Sequence, residues 1–158
     1  MNRAAAVICA SVVLVTASVF AQTAPNFAGK WTLVADPNAP AGGMGGLGQS
    51  ATVVQDATSL TITRTTQMGE IATTYKLDGS ESKNTVNMGG NSIDMLSKVK
   101  SEAGKLIVNT SMSFDGNPVA TSMTLSLDAA GNLVVESTRP DFQGGGAPIT
   151  TKMTYKKS

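Results

Sequence analysis

At 158 residues, with 12 Lys and Arg against 11 Asp and Glu, the chain is nearly neutral, which excludes the basic stripe that nucleic-acid binding needs. It has no histidine and one cysteine, so nucleophile–histidine pairs and the usual zinc or copper sites are excluded. Aromatic residues make up 4%, too few for the girdles of an outer-membrane barrel.

Arg3 precedes an unbroken apolar run over residues 4–15, and Val19, Phe20 and Ala21 form a cleavage site ahead of Gln22. This is the pattern of a secretory signal peptide, expected over 1–21, and the run is too short for a permanent membrane anchor. Cys9 follows Ile8, not the small residue of a lipoprotein signal, and it falls within the segment expected to be removed. Losing Arg3 also brings the basic residues level with the acidic ones. The expectation is an exported protein, periplasmic or extracellular, with one domain over 22–158 held by its core and not by disulfides.

The first strand is expected at 29–35. The connection that follows, 36–50, contains Gly43-Met44-Gly45-Gly46-Leu47-Gly48, a letter-for-letter G-x-G-x-x-G. A dinucleotide fingerprint requires a strand turning straight into a helix. Here Pro37 and Pro40 intervene, and the β-branched "SATVVQD" follows. The motif is therefore expected to be an inter-strand loop, with no nucleotide.

Two-residue alternation continues along the rest of the chain. Further strands are expected at 51–55, 60–65, 70–77, 82–88, 92–100, 105–114, 118–127, 132–138 and 148–157. Their inward phases run through Leu60, Ile62 and Arg64; Ile71, Thr73, Tyr75 and Leu77; Leu106, Val108, Thr110, Met112 and Phe114; Val119, Thr121, Met123, Leu125 and Leu127; and Ile149, Thr151, Met153 and Tyr155. With no crossover helix, consecutive strands should pair antiparallel as a meander. Short acidic turns then collect at one end, which looks closed. The longer loops, including both glycine-rich segments, collect at the other.

Asp56, Glu81, Asp78 and Asp128 lie in turns, where carboxylates serve turn geometry, and no spacing matches a calcium loop. The chain is expected to be no enzyme and to hold no metal or cofactor.

"NFAGKWTL", with Gly29-x-Trp31 opening the first strand, resembles the entry motif of the lipocalin and fatty-acid-binding-protein (calycin) superfamily. "TTYKLDGSES", "GKLIV", "LSLDAAGNLVVEST" and the terminal "TKMTYKK" resemble strands and turns of the fatty-acid-binding group. The chain looks most like a small secreted bacterial form. The resemblance implies an all-β, antiparallel up-and-down barrel of about ten strands, with a cavity entered near the first inter-strand connection. It departs from that group at 36–50, which cannot be the group's helix pair. It also departs at Met153, which stands where the group has a carboxylate-holding arginine.

Within that frame Arg64 and Arg139, the only arginines after Arg3, continue inward phases near the loop-rich end. Either they draw an anionic headgroup to a cavity mouth, or they snorkel to water. Met112, Met123 and Met153, with Thr110, Thr121 and Tyr75, are the candidate ligand contacts. Met44, Leu47, Met68 and Met88 are the candidate portal residues. The methionines suit either an adaptable cavity or ordinary gap-filling, and so many inward hydroxyls need pairing or solvation. Trp31 and Tyr155 are expected to seal the closed end. Two functions remain: a non-catalytic barrel for a small hydrophobic or amphipathic ligand, or an interaction module, protease-inhibitor-like or of the envelope, working through its loops. No membrane insertion follows signal removal.

Overall fold

A computed structural model describes residues 25–34, 46–66, 69–88, 90–114, 116–141 and 145–158, without the side chains of Met88 and Phe114. The expected signal peptide, Met44 and Met68 lie outside the described residues. Ten strands form: β1 (Gly29–Leu33), β2 (Ser50–Gln55), β3 (Ser59–Thr66), β4 (Gly69–Lys76), β5 (Ser82–Met88), β6 (Asn91–Glu102), β7 (Lys105–Phe114), β8 (Asn117–Leu127), β9 (Leu133–Arg139) and β10 (Ile149–Lys157). Each sits where alternation placed it, and no described residue is helical.

The strands make one antiparallel sheet in the order β4-β3-β2-β1-β10-β9-β8-β7-β6-β5. The terminal strands β1 and β10 pair, with Trp31 opposite Lys157 and Leu33 opposite Tyr155. This joins the two halves of the meander into a nearly closed up-and-down barrel, a form compatible with a calycin-like fold.

One expected hairpin does not form. The turn at Asp78-Gly79-Ser80 was expected to be as tight as the others, yet β4 and β5 run side by side without a ladder. The cause lies partly in the turn. Leu77 N–H bonds Thr58 O at 2.8 Å, in the neighbouring turn, and a Cβ on Gly79 would lie 3.5 Å from Val99 O. The turn therefore packs on the barrel's end.

The interior holds two apolar clusters. The larger includes Phe27, Trp31, Leu47, Leu60, Tyr75, Leu125 and Tyr155, with Met123 and Met153 packed against it. The smaller comprises Val86, Ile93 and Met95, with Ile71 and Met112 against them. Buried hydroxyls accompany them, and they are paired: Ser97 Oγ and Thr110 Oγ1 lie 2.8 Å apart, and Thr73 Oγ1 donates to Ile62 O at 3.4 Å. Pairing is what makes such groups tolerable in a core. On the outer wall, threonines pair across strands too, Thr61 with Thr74 at 3.0 Å and Thr138 with Thr150 at 2.9 Å. Leu127, expected inward, is 39% exposed at its strand's end.

Candidate functional site

The chemistry inside the barrel converges on Tyr155. Its ring is fully buried, and its hydroxyl accepts the Leu47 N–H at 2.8 Å while donating to Met153 Sδ at 3.5 Å. Gly46 N–H reaches Ser137 Oγ at 3.2 Å. Residues 46–48 thus dip into the barrel and carry Leu47 to 0% exposure. Glycine is required on approach: Gly46 has φ +75°, and a Cβ there would stand 2.6 Å from Met153 Sδ and 2.7 Å from the Tyr155 oxygen. Gly48, at φ +76°, turns the chain back into β2. Tyr155 is therefore not an end seal but the post to which the glycine-rich connection is tied.

Trp31 belongs to the same apolar cluster as Tyr155. It is 2% exposed, and its indole N–H donates to Phe27 O at 2.8 Å. The Phe27 N–H is held in turn by Gln55 Oε1 at 2.8 Å.

Arg64 follows Leu60 and Ile62 on the inward phase of β3, opposite Ala51 of β2 and Ile71 of β4. Its Nε is buried without a hydrogen-bond partner among the described residues. Two ion pairs, Lys83–Asp94 and Lys100–Glu102, lie on the exposed surface. Arg64 also acts electrically on Tyr155. Burial pushes the phenol above its ordinary range, while the Leu47 N–H and the Arg64 charge pull it back. A half-buried guanidinium beside apolar side chains is a strong receptor for a carboxylate, sulfate or phosphate.

The other expected residues are distributed around this centre. Ile71, opposite Arg64, packs on the smaller cluster together with Met112. Met153 accepts a hydrogen bond from the Tyr155 hydroxyl, and Met123 borders the larger cluster. Tyr75 is 4% exposed within the larger cluster, and Thr110 is occupied by Ser97. Thr121 is half-buried on β8 opposite Thr110. Arg139 ends β9 opposite Ile149 and makes an interaction of its own. Of the portal residues, Leu47 is inside the barrel, and Met88 is the last residue of β5.

A groove of about 690 Å³ lies on the outer wall, where Leu96, Asn109, Ala120 and Ser122 of the outward phase meet Pro140 and Pro148. Thr110, Thr121 and Arg139 border it.

Compared with known proteins, the chain matches no family model and no curated relative. What the site can do is therefore argued from its geometry.

Sequence reasoning missed Ser137, Ser82 and Asn84 as bonding partners. Ser82 and Asn84 carried a readable signal, since polar residues occupy two successive inward positions of β5. Ser137 carried none, because its partner is a loop N–H that arrives from 91 positions away.

Proposed function

We propose that the protein is an exported, non-catalytic, calycin-like barrel that binds a small amphipathic anion. One observation carries the proposal: Arg64 presents a buried, unpartnered guanidinium nitrogen to the barrel interior, opposite Ile71 and the methionine-containing cluster behind it. A cation there is costly to desolvate unless something anionic meets it. The adjoining Met95 and Met112 can repack around an apolar tail of irregular shape. Head and tail are thus matched by neighbouring groups.

Titration of the chain from residue 22 onward with a dansyl-labelled fatty acid tests this. Saturable binding is expected, weakened by Arg64→Gln on the order of tenfold or more, as for one charge-assisted hydrogen bond. Equal affinity in the variant would remove Arg64 from the site.

The outer groove favours the second function, an interaction module acting through its loops. Organic extraction of protein purified from its native host, followed by mass spectrometry, separates the two. An extracted anionic amphiphile supports the binding barrel, and a clean extract together with a co-purified protein supports the module.

A further inference from the structure

The barrel wall is laddered throughout except between β4 and β5, the two ends of the sheet. In β5, Ser82, Asn84 and Val86 face Ser97, Met95 and Ile93 of β6. Two of the three are polar, and both are spent on the seam. Ser82 Oγ accepts the Lys76 N–H at 2.7 Å. Asn84 Oδ1 accepts the Thr74 N–H at 2.8 Å, and its Nδ2 donates to Thr74 O at 2.9 Å. The Asn84 amide thus offers Thr74 the donor and acceptor that a neighbouring strand's backbone would supply. Among the described residues no hydrogen bond crosses the seam beyond Thr74, along the part of β4 that holds Ile71. Directly behind that stretch lies the smaller cluster of Val86, Ile93, Met95, Ile71 and Met112.

We propose that this seam is a side door into the barrel for a flexible, unbranched apolar chain, with Asn84 as its latch. The proposal rests on the binding function above and names the route to that site. A ladder must break cooperatively, whereas the latch is one side chain whose two bonds lie in exposed surroundings, where water competes for them. Swinging Asn84 aside frees the Thr74 edge and uncovers Val86 and Ile71. An apolar tail entering there meets the adaptable methionines first. Its anionic head then lies beside Ile71, opposite Arg64 on β3. No loop needs to move for this passage.

Stopped-flow binding of a dansyl-labelled fatty acid and hydrogen exchange at the Thr74 amide, both on the chain from residue 22 onward, test the latch. Asn84→Ala should speed association and dissociation together on the order of tenfold, with little change in Kd, and should speed Thr74 exchange by a similar factor. Asn109→Ala, on the outer wall of β7, should change none of these. Should Asn84→Ala fail to fold, Asn84→Asp keeps the acceptor and loses the donor, and its rates should fall between. Unchanged binding rates alongside faster Thr74 exchange would overturn the door and leave the binding barrel standing. A wild-type protein that shows no saturable binding would overturn both.

Discussion

Replacing Leu47 with alanine probes the central claim, that the glycine-rich connection delivers a side chain into the barrel. Leu47 is fully buried within the larger cluster. Deleting its three outer carbons forfeits about 2.4 kcal/mol of transfer free energy, at about 0.8 per carbon. A cavity term adds to that where the surroundings cannot collapse. Residues 46–48 are a loop segment held by two side-chain bonds, so part of the space should close, giving a total of about 3 kcal/mol. For a chain of this size that lowers Tm by about 10 °C. Urea unfolding and calorimetry would measure it. Tyr155→Phe should cost about 1–2 kcal/mol by orphaning the Leu47 N–H. The double variant should lose less than the sum, because both changes act on one contact. If Leu47 occupies volume that a ligand's tail can use, Leu47→Ala should also bind the dansyl probe more tightly despite its lower stability. A loss under about 1 kcal/mol with unchanged probe affinity would refute the buried placement.

Three further outcomes are expected. Thr58 N–H and hydroxyl, followed by Ser59 N–H and hydroxyl, hold the Asp56 carboxyl down to about 2 from an ordinary 3.8. A depressed pKa contributes stability that is present above the ordinary value and lost as pH falls through the native one. Thermal stability should therefore decline between about pH 4 and pH 2, less steeply in Asp56→Asn, and carboxyl NMR titration should find Asp56 still ionised near pH 3. The Tyr155 phenol, raised by burial, should move further up in Arg64→Gln, which removes a charge that favours the phenolate. Tyrosinate absorbance on alkaline titration would show it, and a downward move would separate the two residues. Ala103, at φ +48° beside Gly104 at +76° in the β6–β7 turn, occupies a conformation that suits glycine. Ala103→Gly should raise stability by about 0.5–1 kcal/mol, read as a higher urea midpoint, and an equal loss would show that the turn is not strained.

All ten strands were legible because each is a local pattern. Alternation over 105–114 placed Leu106, Val108 and Thr110 inward without reference to any partner, and all three are buried. Turn chemistry was local in the same way, as where Asp56 accepts the N–H groups of Thr58 and Ser59 within its own turn. The run that follows the glycines of 43–48 was local too: its β-branched residues form β2 and not a helix.

What those glycines do was decided only in three dimensions. Gly46 is constrained by Met153 and Tyr155, more than one hundred positions along the chain, and no window over the loop contains that contact. The same holds for the seam: the sequence determined two adjacent strands, and the barrel's closure decided that they would meet edge to edge without a ladder. Arg64 lies between these cases. Its inward phase was set by Ile62 and Leu60, while its unpartnered Nε depends on which neighbours the tilted wall brings within reach. Alternation decides which way a side chain faces, and only the packed barrel decides what it meets.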